Sequence, residues 1–169
     1  STDGAWDLSD RLIGRVTHSG GLALDGTYTS ALQTRLPPSK EGQYRFIVRP
    51  DIYNEVYEAA DEANNVTASP GVVNVTVAPL VLGVPVQDAL SPGEVRLYKV
   101  SVAGNETLRV RLDADEAAAV HELYVRYNDV PSGFAFDAAG QSLLDEDQVA
   151  LVPSTDAGTY YVLVVGRSA

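Results

Sequence analysis

Three aspartates near the start of the chain, Asp3, Asp7 and Asp10, stand in an oxygen-rich, turn-forming loop, Ser1 to Asp10. Ca²⁺ takes about six to eight oxygen ligands in a flexible cage, so this loop is a candidate calcium site, with possible donors from Asp61 to Asn65. The spacing is not that of an EF-hand. Solvated turns capped by their own aspartates explain the same residues.

Other carboxylates cluster at Asp61-Glu62, at Asp113, Asp115 and Glu116, and at Asp145, Glu146 and Asp147. Glycoside hydrolysis needs two acids facing each other across a cleft, which clusters within single loops do not supply. Of the two histidines, His121 has Glu122 beside it, but adjacent strand residues point to opposite faces. No nucleophile-elbow or zinc-helix motif occurs, so the reading is that the chain is not an enzyme. Tyr53, Tyr57, Tyr160 and Tyr161 are candidate interaction residues, because exposed aromatic faces stack sugars and anchor peptides. Trp6 lies in the acidic loop, and Tyr160 beside Tyr161 implies that one of the pair leaves the core face if the segment is a strand.

These residues need a scaffold, and composition bounds it. A length of 169 residues fits one large domain or two small sandwiches. Hydrophobic residues make up 45% and charged residues 21%, enough for a core and too few charges for global disorder. The formal net charge of -11 excludes phosphate-backbone binding as a main role and disfavours an anionic membrane surface. Cysteine is absent, which removes disulfides and thiolate chemistry. Methionine is absent too, so the expectation is a processed or excised segment. No apolar run approaches the roughly 18 residues of a membrane span.

Strand signals fill the chain. Leu12 to His18 and Thr27 to Leu36 are expected strands, joined through Gly20-Gly21. Gln43 to Arg49 alternates, with Tyr44, Phe46 and Val48 facing in. Val73, Val75 and Val77 form the last inward set of a first unit. After Ala78-Pro79 come an apolar run, Leu80 to Val86, and a strand from Glu94 to Val102. There Leu97 beside Tyr98 predicts a bulge. Ala103-Gly104-Asn105 predicts a hairpin turn. Further strands are expected at Leu108 to Leu112, His121 to Tyr127, Gln148 to Val152 and Gly158 to Gly166, and Phe134 and Phe136 are expected on one face. Asp113 to Glu122 is the best candidate for a helical turn or two. The fold class is all-β, two consecutive immunoglobulin-like or jelly-roll-like sandwiches, at 1–79 and 80–169 with separate cores.

The stretch after the third expected strand carries a more specific pattern: Asp51, Asn54, Val56, Glu58, Glu62, Asn64 and Asn65. With the Asp-rich start, Leu12-Ile13-Gly14 and Ser19 to Leu22, it resembles the bacterial cell-adhesion-related domain (CARDB). The second half resembles the bacterial pre-peptidase C-terminal domain (PPC). That likeness is carried by Leu90 to Gly93, Tyr98 to Val102, Thr107 to Leu112 and Ala157 to Val164. Both resemblances imply β-sandwiches of secreted or surface-attached bacterial proteins. Both are cut short at their outer ends, the first of opening strands and the second of a closing strand.

The function expected is therefore a non-catalytic structural or adhesive module, extracellular or on the cell surface. Its expected partners are copies of itself or neighbouring modules. A sandwich lacking a strand recruits one, so a filament grown by strand complementation is expected, with the apolar run Tyr160 to Val165 as the place of contact. The alternative is a carbohydrate- or protein-binding accessory module of a secreted hydrolase.

Overall fold

The computed structural model describes residues 1–168 apart from 22, 24, 25, 54, 56–64, 117, 141, 143 and 144. The chain is all-β, with no helix among the described residues. It divides into two compact units: residues 1–37 with 42–75, and residues 38–41 with 76–169.

The first unit is held by short ladders. β1 (Gly42–Tyr44) pairs antiparallel with β4 (Val73–Val75), and β2 (Ile47–Val48) with β3 (Thr67–Ala68). The expected single strand from Gln43 to Arg49 is thus broken at Arg45-Phe46. The reason is local: the Arg45 guanidinium donates to the Ser69 and Pro70 carbonyls at 2.9 and 2.7 Å, and the Phe46 N–H donates to Ser69 Oγ. Phe46 and Val48, expected to face in, are exposed.

Leu12 to His18 and Thr27 to Leu36 form no ladder among the described residues. They still run side by side and antiparallel. Leu32 packs on Gly14, Thr34 Oγ1 donates to the Ile13 carbonyl at 3.2 Å, and His18 stacks on Tyr28 at 4.1 Å. Alternating apolar residues make a strand only when their face has something to pack against. Here Leu12, Val16, Tyr28, Leu32 and Leu36 stay exposed. No described residue of this unit is fully buried, so the expected separate core of the first half is not present among them.

The second unit has the core. Its five-stranded sheet runs β5-β6-β11-β8-β9. The strands are β5 (Ala78–Pro79), β6 (Val95–Val102), β8 (Val120–Tyr127), β9 (Ala138–Ala139) and β11 (Gly158–Ser168). A two-stranded ribbon, β7 (Leu108–Leu112) against β10 (Gln148–Val152), supplies the second layer. The core joins Val100 of β6, Leu108 of β7, Leu123 and Val125 of β8, Ala150 and Val152 of β10, and Tyr160, Val162 and Val164 of β11. Each set is one parity of its strand, which is the signature of a sandwich interior.

β11 lies in the middle of the sheet, paired with β6 on one side and β8 on the other. It is rich in β-branched and aromatic residues on both parities, as a strand covered on both faces requires. Leu97 causes no bulge: β6 stays in register with β11 from Val95 to Val102, and Leu97 sits opposite Leu163 on the second apolar face. Ala103 to Asn105 is not a hairpin. It carries the chain from β6 in the sheet to β7 in the ribbon, with Asn105 in the left-handed region at φ 61°. The chain returns from ribbon to sheet between β10 and β11. Thr155 fastens the two crossings together. Its N–H donates to the Glu106 carbonyl at 2.8 Å and its carbonyl accepts from the Asn105 N–H at 2.7 Å. Its hydroxyl donates to the Ala103 carbonyl at 2.6 Å and accepts from the Glu106 N–H at 3.2 Å. The expected helical turn at Asp113 to Glu122 is instead a single turn, the Ala119 N–H donating to the Glu116 carbonyl, followed directly by β8.

Candidate interaction site

The acidic loop folds each carboxylate onto its own backbone. Asp3 Oδ1 accepts from the Ser1 hydroxyl at 2.8 Å and the Ala5 N–H at 2.9 Å. Asp7 Oδ1 accepts from both the N–H and the hydroxyl of Ser9 at 2.6 Å, and Asp10 Oδ2 from the Asp7 N–H at 3.1 Å. The Ser1 hydroxyl holds the Asp3 carboxyl below its ordinary value, and the Ser9 hydroxyl does the same for Asp7. Among the described residues no group of three or more His, Asp or Glu side chains is placed to hold a metal ion. Two Asx turns, at Asp3 and Asp7, and a bond from the Asp7 N–H back to Asp10 account for the three carboxylates as they stand. Residues 61–64, the other expected donors, lie outside the described residues.

Tyr53 is 63% exposed, and the Arg15 guanidinium lies 5.5 Å from its ring centre. Trp6 is covered more closely, with the Arg49 guanidinium 3.6 Å above its ring. The Arg49 Nε is buried there without a hydrogen-bond partner, so the indole face is its main compensation. Tyr57 lies outside the described residues.

Tyr160 and Tyr161 are not surface groups. They are 2% and 6% exposed. Tyr160 faces the core, its ring 5.1 Å from Tyr127 and its hydroxyl oxygen accepting the Asp156 N–H at 3.0 Å. Tyr161 points to the opposite face, between Lys99 and Arg126 on the flanking strands. The run Tyr160 to Val165 is therefore not a place for strand addition. A central strand has both ladder edges filled already.

Two clusters of polar side chains lie on the surface of the sheet. Asp88 Oδ2 accepts from the Tyr98 hydroxyl at 2.8 Å and from Arg96 Nε at 3.0 Å. Burial together with that carboxylate pushes Tyr98 up to about 12. The Tyr98 hydroxyl, the Ala89 N–H and Arg96 hold Asp88 low. Glu122 Oε2 accepts from Arg167 Nη2 at 2.7 Å and the Tyr124 hydroxyl at 3.0 Å, and Arg167 holds its carboxyl down. His121 meets the Glu146 carbonyl through Nδ1 at 3.3 Å, and Asp147 Oδ1 accepts the Ala114 N–H at 3.0 Å. Asp88 ties its loop to β6 and the Glu146 carbonyl ties another to β8, while Glu122 and Arg167 join the neighbouring strands β8 and β11.

One feature escaped the sequence reading. Beside the end of β6 lies an open hollow of about 360 Å³, lined by Pro79, Leu80, Val81, Leu82, Lys99 and Ser101. The sequence sign of it is charge: from Asn65 to Gln87 the chain carries no ionisable side chain, in a protein where one residue in about five is charged.

Comparison with known proteins gives no matching family model, no matching curated protein and no matching solved structure.

Proposed function

We propose that the chain is a non-catalytic structural or adhesive part of a larger secreted or surface-attached bacterial protein, working by association with copies of itself or with neighbouring modules. One observation carries this reading. The first unit leaves its large apolar side chains exposed, from Leu8 and Leu12 through Tyr28, Leu36 and Val48 to Val72, and is held by ladders of two or three residues. So many exposed large apolar side chains are uncommon on a soluble monomer, and full burial of each aliphatic would contribute about 1.5–3 kcal/mol. Contact with another chain recovers it. The residues that resemble the two bacterial extracellular sandwich families support the setting.

Sedimentation velocity over a range of concentrations, with hydrogen exchange on the same samples, tests the reading. The expected result is concentration-dependent association that slows exchange of the β1 to β4 amides. A monomer at high concentration whose β1 to β4 amides are already protected would sink it. A second reading, an accessory module that binds sugar or peptide, draws on the exposed ring of Tyr53. Glycan-array binding that disappears in Tyr53→Ala would favour it.

A further inference from the structure

Six asparagines occur in the chain, and three of them, Asn65, Asn74 and Asn105, have a threonine two residues on, at Thr67, Thr76 and Thr107. Threonine supplies only ten of the 169 residues, so chance placement would seldom give even one such pair, and here there are three. The residues between are Val66, Val75 and Glu106, never proline. Asn-x-Thr is the acceptor pattern for transfer of an N-linked glycan.

The fold sorts the three pairs. Asn65 is half-buried. Asn74 sits on the exposed parity of β4, between the half-buried Val73 and Val75. The alternation runs on past the strand, with Thr76 exposed and Val77 buried, so Asn74 and Thr76 face the same way into water. Asparagine is depleted in strands, where its short amide competes with the backbone ladder. Gln43 lies opposite Asn74, yet among the described residues nothing takes up the Asn74 amide or the Thr76 hydroxyl. Packing therefore gives no reason for either residue type. Asn105 and Thr107 are exposed where the chain leaves β6 for β7. There the fold explains part of the pattern: φ 61° favours asparagine, and Thr107 Oγ1 donates to the Pro153 carbonyl at 2.9 Å. The Asn105 side-chain amide itself is taken up by no described residue.

We infer that Asn74 and Asn105 are acceptors of N-linked glycans, the donor being an oligosaccharide carried on a polyprenyl phosphate or pyrophosphate. The inference rests on the exported setting proposed above, since such donors are used where a chain emerges across a membrane. In the transfer, Nδ2 of the asparagine forms a bond to the anomeric carbon of the first sugar. The bond from that carbon to the phosphate oxygen breaks, and the phosphate leaves with the electron pair. The amide gives up one proton to a carboxylate of the transferase, and no oxidant or reductant enters. The Thr107 hydroxyl is committed to Pro153 once the crossing has closed, so transfer at Asn105 precedes folding of the second unit. The Asn74 pair stays open in the folded unit. Both side chains end in water, where a bulky, solubilising glycan displaces no packed neighbour.

Mass spectrometry of the exported protein tests this. Trypsin, cutting after Lys99 and Arg109, isolates Asn105 as the single asparagine of peptide 100–109, which is expected to carry whole sugar residues. For Asn74, Thr76→Val keeps the β-branched shape and is expected to lose one glycan from the intact mass. Thr76→Ser, which keeps the acceptor pattern, is expected to retain it, and Thr67→Val is expected to leave the glycan count unchanged. Should Thr76→Val fold poorly, the glycan of Asn74 is read directly from fragmentation of peptides of the unsubstituted chain. An exported protein bare at both asparagines, or with sugar at Asn65 in place of Asn74, overturns the inference and leaves the assembly reading standing. Sugar at only one of the two overturns the assignment of the other. Equal loss in Thr76→Ser and Thr76→Val overturns recognition of this pattern. A protein retained in the cytoplasm overturns both the inference and the setting it rests on.

Discussion

Replacing Thr155 with valine deletes one hydroxyl at nearly constant volume, at a position 3% exposed. That hydroxyl serves two backbone groups, donating to the Ala103 carbonyl and accepting from the Glu106 N–H, at the point where both sheet-to-ribbon crossings meet. Valine leaves both groups without their partner. A buried backbone group stripped of its bond costs about 1–3 kcal/mol, and residues 103 and 106 are themselves exposed enough for water to recover part of it, so about 2–3 kcal/mol is expected in all. Thr155→Ser keeps the hydroxyl and loses one methyl, a cost of about 1 kcal/mol. The order is what matters: on hydrophobicity alone valine would be the better replacement, and here it is the worse. Urea unfolding followed by far-ultraviolet circular dichroism measures it, with the midpoint falling at constant m. For a unit of this size the expected drop in Tm for Thr155→Val is on the order of 10–20 °C. If the valine variant is as stable as the serine variant, the crossings are not held by this hydroxyl and the reasoning fails.

Gly140→Ala should cost about 2 kcal/mol in the same assay, because an added Cβ would lie 2.2 Å from Gln148 Oε1 and dislodge a side chain that donates to the Ser142 and Asp145 carbonyls. Tyr98, pushed up to about 12, should be among the last tyrosines to ionise in an ultraviolet titration. The folded state holds that proton longer than the unfolded one, so the stability it contributes is full below about pH 10 and is lost as pH rises through about 12; Asp88→Asn should lower the folded value. Glu122 is held low by Arg167, so its contribution is present above the ordinary value of 4.5 and lost as pH falls through the lowered folded one. Glu122→Gln should flatten the acid side of a plot of Tm against pH, and an unchanged slope would count against the pair. With the oxygens of Asp3 and Asp7 already accepting local bonds, millimolar Ca²⁺ should leave Tm where a chelator does, and a rise of several degrees would show that the loop reorganises around the ion.

The sequence is most legible where one parity of a strand is buried. Tyr98, Val100 and Val102, then Leu108, Val110 and Leu112, then Leu123, Val125 and Tyr127 each share one parity of their strand, and every one packs in or against the core. Pairing is another matter, since a ladder is chosen by distant chain. Ala103 to Asn105 has hairpin chemistry, but β6 takes β11 as its partner and β7 takes β10. Tyr160 and Tyr161 look like one core and one surface aromatic only while β11 is assumed to have a wet face. Flanked by β6 and β8 and covered on both sides, it buries both. Phe134 and Phe136, expected on one face of a short element, part company: the element is only the bridge between Ser132 and Ala135, Phe136 lies 5.4 Å from the Tyr124 ring, and Phe134 is fully exposed.

The two halves differ in legibility for a physical reason. In the second unit, local alternation and long-range burial agree, because a facing layer exists for the inward parity to meet. In the first, Leu12 to His18 and Thr27 to Leu36 alternate just as well but meet no layer within the described residues, so periodicity alone cannot make them strands. The same logic separates the candidate surfaces. Tyr53 was readable as exposed because it follows Pro50, which ends the strand; the left-handed Asp51 that completes the break is visible only in the backbone. The hollow beside β6 was not, because it comes from the angle at which β5 leaves its neighbour after Pro79, which no periodicity encodes. Its trace in the sequence is the combination of Pro79, Gly83 and Pro85 within an uncharged aliphatic run. Turn residues put such a run at the surface, and the lack of charge keeps it from being well solvated there.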